Sequence, residues 1–303
     1  MRQPGNEPKI SEDISPEKQE ELRVMKERIE SALHDREVRE NTANDFIYTF
    51  EQLGLDKQES KELTAKIFEK MASSSRLDSI EQDILQDFKN IKVGDKNLVQ
   101  ILEEKLEKRA EIIFGQLKKY LKVLDPDSKG IDYGAGDGQV TQLIHDRLGF
   151  DDIEGYDPRE YKRPGVKVPI HKFDGGNTGV PDGNFDFAVM TNVAHHEKDN
   201  EKILDELTRI VKSGGRLVIL ETVPVGDTPE EIKKDHERTF MNDYLYNRLF
   251  HNADVPVPGT FEIPSKWIER FEKKGWRLVH SENLGVDQPT IKDTHHLLVF
   301  ERA

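Results

Sequence analysis

Three glycines at alternate positions follow an acidic residue in the segment 130–140, whose sequence is GIDYGAGDGQV. Glycine has no Cβ atom, so the backbone of such a segment can turn tightly and approach a ligand closely. In an open α/β sheet, a segment of this kind binds a nucleotide-like cofactor at the carboxyl end of the first strand. The dinucleotide fingerprint is G-x-G-x-x-G, whereas Gln139 stands here where its third glycine belongs. The spacing therefore disfavours NAD.

A second acidic residue, Asp157, follows the apolar segment 153–156 and lies 19 residues after Gly138. An acid at the end of a second strand can accept hydrogen bonds from both ribose hydroxyls of a nucleoside, and such charge-assisted bonds are strong. The same position also suits the ribose-binding acid of an NAD site. Asp157 thus predicts a nucleoside-binding site but does not identify the nucleoside. The alternative is that Asp157 is an ordinary loop aspartate.

Adjacent histidines follow another apolar segment, 185–191, as His195 and His196. Imidazole titrates near neutral pH, so either side chain is a candidate general base. The alternative is that the two rings only shape the loop and pack on their neighbours. His236 is a third candidate, because the adjacent Asp235 and Glu237 could orient its ring, although a surface position on a helix is the simpler interpretation. Glu221 ends a further apolar segment at the same predicted edge and could contact a substrate.

Two regions with different patterns must position these residues. Residues 1–125 predict a helical N-terminal region, of which 1–15 is expected to be disordered. Ser15, Pro16 and Glu17 form a helix start signal, and apolar residues then recur at three- and four-residue steps. Helical patterns also cover residues 45–53, 60–72, 79–90 and 98–121.

Residues 126–303 instead alternate between strand and helix patterns. The predicted strands are 131–133, 153–156, 166–173, 185–191, 216–221, 276–281 and 296–301, with helices at 140–148 and 201–212. This alternation predicts an α/β domain with a mostly parallel sheet and helices on both faces. The long connection around 223–265 is expected to be a lid-like insertion. Its aromatic residues Tyr244, Tyr246 and Phe250 either line a substrate lid or dock the helical region.

The run D-x-G-x-G-x-G from Asp132 to Gly138 resembles motif I of class I S-adenosylmethionine-dependent methyltransferases. The segment 185–199, FDFAVMTNVAHHEKD, is similar to the fourth strand and following loop of the methyltransferase type 11 group. Residues 203–221 are similar to that group's next helix, its Gly-Gly turn and its fifth strand. The resemblance covers residues 131–221 and the closing strands, about half of the chain.

This resemblance implies a Rossmann-like seven-stranded sheet with an antiparallel last strand, and S-adenosyl-L-methionine as the cofactor. It also implies that Asp174 accepts a hydrogen bond from the adenine amine, with Phe173 or Gly175 beside the ring; a turn-forming Asp-Gly is the alternative. Tyr133 replaces the usual leucine or valine of motif I, which would put a phenol beside the cofactor. The expected cofactor-binding residues are Asp132, Tyr133, Gly134, Ala135, Gly136, Gly138, Asp157, Pro158, Phe173, Asp174, Gly175 and Asn192.

Composition restricts the partners. The 303 residues carry a net charge of −14, which disfavours binding to a nucleic acid. The chain has no cysteine, so a thiol nucleophile, a disulfide and cysteine-ligated zinc are excluded. No window is apolar enough for a membrane span and no secretory signal is evident, so a cytoplasmic location is expected.

The predicted reaction is methyl transfer to an oxygen or nitrogen atom of a small-molecule acceptor. S-adenosylmethionine carries its own electrophile, so no metal is expected. The first alternative is a protein or peptide methyltransferase that uses the helical region for docking. The second is a catalytically silent protein that uses the cofactor fold to bind a partner. The sequence leaves the acceptor and the oligomeric state open.

Overall fold

The computed structural model describes residues 15–159, 161–250 and 255–303. The predicted disorder of 1–15 therefore falls almost entirely outside the described residues. The helices are α1 (Pro16–His34), α2 (Arg36–Gln52), α3 (Lys57–Met71), α4 (Leu77–Asn90), α5 (Leu98–Leu121), α6 (Gln139–Leu148), α7 (Asn200–Ile210), α8 (Pro229–Tyr244) and α9 (Pro264–Lys273). The strands are β1 (Lys92–Val93), β2 (Lys96–Asn97), β3 (Gly130–Tyr133), β4 (Ile153–Asp157), β5 (Ile170–Lys172), β6 (Phe185–Thr191), β7 (Val211–Thr222), β8 (Trp276–Gly285) and β9 (His295–Arg302). A short 3-10 helix (Ala194–His196) follows β6, and a π-helical turn (Leu245–Phe250) extends α8.

The N-terminal region begins with four helices, and side-chain caps set the starts of the first three. The Ser15 hydroxyl accepts a hydrogen bond from Lys18 N, and Pro16 occupies the first helical position. Helix α2 begins well before the predicted residue 45, because the Asp35 carboxylate caps it by accepting from the N–H groups of Glu37 and Val38. Polar side chains buried along the start of this helix, including Thr42, interrupt its apolar stripe, which is why the sequence pattern is weak there.

The seven-stranded sheet has the order β5-β4-β3-β6-β7-β9-β8. Strands β3 to β7 are parallel, and β9 runs antiparallel to both β7 and β8. This confirms the predicted Rossmann-like sheet and its antiparallel last strand. The carboxyl ends of the parallel strands meet at one edge, and the start of β9 lies at that same edge because His295 pairs with Thr222.

The strand predicted at 166–173 is shorter than expected, because its first half bonds to side chains. The N–H groups of Lys167 and Val168 donate to the Gln142 side chain at 2.6 and 3.1 Å. The Lys162 ammonium donates to the carbonyls of the same two residues at 3.2 and 2.7 Å. Backbone groups satisfied in this way do not pair with β4, so only Ile170–Lys172 forms the strand.

The insertion after β7 packs against the N-terminal helices. Tyr244 and Phe250 lie in the same apolar cluster as Phe50 and Phe88. The rings of Phe88 and Phe250 stack with centroids 4.2 Å apart. Tyr244 and Phe250 therefore pack against the helical region, which is one of the two interpretations of these aromatic residues. Tyr246 also lines the cavity described below. The division of the chain at residue 125 stays a prediction.

Among the residues that the structure describes, no helix combines the length and apolar character that membrane crossing requires.

Candidate active site

The glycine segment forms the turn between β3 and α6. Gly134, Gly136 and Gly138 all have positive φ angles, of 79, 58 and 83°. A Cβ atom on Gly134 would lie 2.2 Å from a methyl group of Val193, which follows β6, so a side chain has no room there. The N–H groups of Gly134 and Ala135 both donate to the carbonyl of Tyr156. The loop is thereby held against the ends of both neighbouring strands.

Asp157, at the end of β4, is tied to this loop. One carboxylate oxygen accepts from Gly136 N at 2.9 Å, and the other accepts from Arg159 N at 2.9 Å and from Arg159 Nε at 3.2 Å. The residue is only 4% exposed. Its carboxylate therefore faces the glycine loop with a fixed orientation, and Arg159 is a neighbour that sequence reasoning missed.

Asp132 is buried under the same loop. One of its carboxylate oxygens accepts from the Thr141 hydroxyl at 2.6 Å, while the other has no hydrogen-bond partner among the described residues. Burial raises the pKa of Asp132 to about 7; the Thr141 hydrogen bond opposes this rise and the charge of Asp157 adds to it. The native state thus favours the protonated form of Asp132 below neutral pH.

Replacing Asp132 with asparagine is expected to flatten the pH dependence of stability. The pKa of Asp132 rises from 3.8 to about 7 on folding, so the native state binds this proton more tightly than the unfolded chain. The Asp132 carboxyl therefore contributes its full stabilisation below its pKa in the unfolded chain. This contribution is lost as the pH rises through its pKa in the folded protein. The measurement is the thermal midpoint of the wild type and Asp132→Asn between about pH 5 and about pH 8. The exposed Asp151→Asn is the control, and equal slopes in all three proteins would contradict the prediction.

Tyr133 is held by the segment after β5, and its expected place beside the cofactor stays a prediction. The residue is fully buried, and its hydroxyl donates to the Gly175 carbonyl at 2.9 Å. Successive side chains of a strand point to opposite faces, so Tyr133 and Asp132 cannot both face the loop. The ring instead meets the edge of Phe173, with centroids 5.1 Å apart, and supports the segment after β5.

The segment after β5 lies beside the end of β4. Asp174 is exposed, and its Oδ1 accepts from the N–H groups of Gly176 and Asn177 at 2.8 and 2.6 Å. The turn-forming role considered for Asp174 is therefore present, and it uses one of the two carboxylate oxygens. A Cβ on Gly175 would lie 3.7 Å from Pro158 and 3.0 Å from the carboxylate of Glu197. The tips of three loops thus converge, and no sequence pattern indicated a role for Glu197.

Asn192 redirects the chain at the end of β6. It has a φ of 53°, a left-handed conformation that asparagine tolerates better than most residues. Its side-chain oxygen accepts from the Thr222 hydroxyl at 3.2 Å, whereas its Nδ2 is buried without a partner in the described part of the chain. The turn at Asn192 places the 3-10 helix, and with it both histidines, over the end of β7.

His195 and Glu221 form a buried pair. The ring Nδ1 lies 2.7 Å from Glu221 Oε2, and Glu221 Oε1 accepts from the N–H groups of Val193 and Ala194 at 2.8 Å each. Burial raises the pKa of Glu221 to about 7, an effect that the two backbone donors oppose, and burial lowers the pKa of His195 to about 4. The other ring nitrogen, Nε2, lies 3.9 Å from a carboxylate oxygen of Asp243.

A cavity of about 90 Å³ opens between these histidines and the insertion. The elements that line it are α5, the segment after β6, the end of β7, α8 with its π-helical turn, and the segment leading into β9. Its lining residues are Leu106, Arg109, Asn192, His195, His196, Thr222, Asp243, Tyr246, Asn247, Phe261, Ile291, Asp293 and His295. Asn192 belongs to this lining, and the next residue, Val193, contacts the glycine loop, so cavity and loop adjoin.

His236 lies outside this cavity. Its Nδ1 is 3.1 Å from Arg28 Nη2 and 3.2 Å from Glu237. Its ring meets the edge of Phe261, whose own ring stacks on His195, with centroids 4.8 Å apart. The phenylalanine thus separates His236 from the two histidines that line the cavity.

Several cavity residues escaped sequence reasoning. Arg109 belongs to α5, Asp243 to α8, and Asp293 and His295 to the last part of the chain. None of them lies in a motif. In the segment around Asp243, the sequence analysis singled out only the aromatic residues. No local sequence pattern indicates that these four residues lie close together in the fold.

Known proteins resemble this chain over the sheet region. A methyltransferase domain family matches residues 106–281, more than half of the chain. The sarcosine/dimethylglycine N-methyltransferase of Halorhodospira halochloris is 29% identical over 119 residues, which cover 36% of this chain and 43% of that protein. The demethylmenaquinone methyltransferase of Thermus thermophilus is 29% identical over 103 residues, which cover 31% of this chain and 47% of that protein. The chain spans about half the length of these two relatives.

A solved structure shares the fold. The geranyl diphosphate C-methyltransferase of Streptomyces coelicolor A3(2) matches with a TM-score of 0.51 and 13% identity, covering 74% of this chain and 98% of that one. The order of the strands in the sheet, the glycine loop and the family match all point to the same family. The chain belongs to the methyltransferase domain family, a class I family whose cofactor is S-adenosyl-L-methionine.

Proposed function

We propose that this protein transfers a methyl group from S-adenosylmethionine to an oxygen or nitrogen atom of a small molecule held in the cavity beside Asn192. The observation that supports this most directly is the adjacency of two sites. The glycine loop and Asp157 lie at the ends of β3 and β4, and Val193, next to the cavity residue Asn192, packs on Gly134. Methyl transfer needs an acceptor close to the sulfonium and in line with the leaving sulfur.

The residues of the loop fit the cofactor. An ionised carboxylate has about four acceptor sites, and Asp157 uses only part of this capacity on Gly136 and Arg159, so it can also accept from ribose hydroxyls. Asp132 and Asn192 each hold a buried polar atom without a partner among the described residues. The second carboxylate oxygen of Asp174 is proposed to accept from the adenine amine, with Pro158, Phe173 and Gly175 beside the ring.

A small acceptor is supported by the cavity and by the relatives. The cavity of about 90 Å³ is lined mostly by polar side chains, which suits a compact polar group. The two relatives above are named for sarcosine, dimethylglycine and demethylmenaquinone, all small molecules. Helices α1–α4 share an apolar cluster with the insertion, so this region has a structural role that a docking module for peptides would not need.

The chemistry requires positioning and proton removal. The acceptor lone pair forms the new bond to the methyl carbon, the carbon–sulfur bond breaks, and its electron pair remains on sulfur to give S-adenosylhomocysteine. An acceptor that begins as O–H or N–H must also lose a proton. His195 and His196 are proposed to contact the acceptor atom in the cavity, where a ring nitrogen takes this proton, and Glu221 positions the His195 ring.

Calorimetric titration of the purified chain tests the cofactor assignment. Micromolar binding of S-adenosylmethionine and S-adenosylhomocysteine is expected, with no detectable binding of NAD, because the glycine spacing does not suit a dinucleotide. Binding of NAD alone would overturn the proposal. Absence of binding by all three ligands would favour the catalytically silent alternative.

The acceptor class is tested by the formation of S-adenosylhomocysteine in the presence of a small-molecule panel and a peptide panel. Turnover with members of the first panel only is expected. Turnover with peptides only would support the protein methyltransferase alternative. A deletion of the helical region is unsuitable for this comparison, because it would strip α1–α4 from the apolar cluster that they share with Tyr244 and Phe250.

A further inference from the structure

Three side chains in the cavity present metal-ligand atoms to one another. One ligand atom from each of His195, His196 and Asp243 lies within 4.8 Å of the other two. The Asp243 oxygens are each 3.9 Å from an imidazole nitrogen, one from His195 and the other from His196. These separations are too long for hydrogen bonds. They leave a gap that a shared ion could fill.

Asp243 supplies an independent reason to expect an occupant. The residue is 8% exposed, and its Oδ2 is buried without a hydrogen-bond partner in the described residues. Its Oδ1 accepts from the Asn247 amide at 2.5 Å. A buried carboxylate oxygen without a partner is costly, and an ion between Asp243 and the two rings would remove that cost.

Each histidine ring is held by one nitrogen. The Nδ1 of His195 is held by Glu221, which leaves Nε2 toward Asp243, and Glu221 is itself fixed by two backbone N–H groups. The Nδ1 of His196, which is the nitrogen 3.9 Å from Asp243, also lies 2.9 Å from the Pro256 carbonyl, so Nε2 is the nitrogen of this ring that would bind the ion. Metal-binding histidines almost always donate their second N–H to a carboxylate or a backbone carbonyl in this way.

The surrounding charges permit a cation. Arg109 lines the same cavity and opposes a cation, whereas the carboxylates of Asp243 and Asp293 favour one. Glu221, directly behind His195, adds a third acidic group.

We propose that His195, His196 and Asp243 bind one divalent transition-metal ion in the acceptor cavity. Two imidazole nitrogens favour zinc or iron(II) over magnesium and calcium, which prefer oxygen ligands. Bond lengths of about 2.0–2.2 Å require the ligand atoms to move together by up to about 1 Å. Three protein ligands leave a coordination position open. This departs from the expectation, drawn from the sequence, of a site without metal.

The role of the ion rests on the proposed function, but its binding does not. A cation beside the acceptor's O–H or N–H lowers the pKa of that group and makes it a better nucleophile. The proton is released to solvent, the methyl carbon leaves sulfur for the acceptor atom, and no electron transfer is involved. The ion would thus do the work otherwise assigned to a general base.

Metal titration of the full chain tests the proposal. Protein without a histidine tag is stripped with a chelator and titrated with Zn²⁺ by calorimetry, and Co²⁺ is followed by its visible absorption. One equivalent of Zn²⁺ per chain is expected. Asp243→Asn and His195→Asn should weaken binding at least about 100-fold, and Glu221→Gln should weaken it about 10- to 100-fold.

His236→Asn is the matched control, because it removes a nearby histidine outside the cavity and should leave Zn²⁺ affinity unchanged. Circular dichroism identifies variants that fail to fold, and the wild-type titration decides the question even if all of them do. No stoichiometric Zn²⁺ in the wild type, or equal affinity in Asp243→Asn, would refute the site. Binding of S-adenosylhomocysteine, measured separately, should survive in Asp243→Asn. Its absence from the wild type would overturn the proposed function while leaving the metal site standing.

Discussion

Replacing Asp157 with asparagine is expected to weaken S-adenosylmethionine binding about 100-fold. Hydrogen bonds to a charged group contribute about 1.5–3 kcal/mol each, and the ribose would lose two charge-assisted partners at once. Since about 1.4 kcal/mol corresponds to a factor of ten, a loss of about 3 kcal/mol gives this change in Kd. Asparagine keeps the size of the side chain and one oxygen to accept from Gly136. The measurement is calorimetric titration with S-adenosylmethionine and S-adenosylhomocysteine.

Asp151→Asn is the control, because this exposed residue precedes the same strand and loses the same charge. Its Kd should stay within about twofold of the wild type, since screening weakens a distant exposed charge. Unchanged affinity in Asp157→Asn would show that the carboxylate at the end of β4 does not hold the ribose. Asp157→Ala should be affected at least as strongly, because it also releases the N–H groups of Gly136 and Arg159.

Replacing Arg238 with methionine is expected to destabilise the fold by about 3–5 kcal/mol. Arg238 lies on α8, and its guanidinium is within 2.5 Å of Asp45 on α2 and 3.2 Å of Asp293 before β9. It also pairs with Asp235 at 2.6 Å. The variant leaves Asp45 and Asp293 buried without this cation. The measurement is chemical denaturation at about pH 8 and about pH 5.

The loss should be smaller at the lower pH. Burial raises the pKa of Asp293 to about 6 even though Arg238 opposes this rise, so without Arg238 the carboxyl titrates at a still higher pH. Protonation at about pH 5 then removes the cost of a buried charge. Arg36→Met, which breaks an exposed ion pair with Glu40, should cost under about 1 kcal/mol at either pH. An equally small effect of Arg238→Met would show that this residue does not hold the insertion to the N-terminal helices.

The segment from Asp132 to Asp157 was largely predictable from sequence. The turn requires positive φ angles at Gly134, Gly136 and Gly138, and glycine adopts such angles without strain. This requirement is local, so it can be read from the sequence. The strands on either side are short apolar runs, so their positions followed from the same pattern. The strand predicted from residue 166 was too long. The Gln142 side chain accepts hydrogen bonds from two backbone N–H groups that the sequence pattern predicted to pair within the sheet.

The histidines show the limit of such reasoning. All three candidates, His195, His196 and His236, have an acidic neighbour within three residues, and sequence treats them alike. Folding buries His195 and half-buries His196 beside Asp243, and it leaves His236 with Arg28 and Glu237. The partner of each ring comes from a distant part of the chain, such as Glu221 for His195, so spacing along the chain does not encode it.

The sequence by itself determined the fold, the family and the cofactor, because each depends on local conformation and on the order of strands and helices. Only the tertiary structure decided which side chains line the cavity. Arg109, Asp243 and His295 belong to three separate elements and meet because α5, the insertion and β9 converge at one sheet edge. Burial at that edge then sets the protonation of these groups, since the free energy of a charge depends on its surroundings and not on its sequence neighbours.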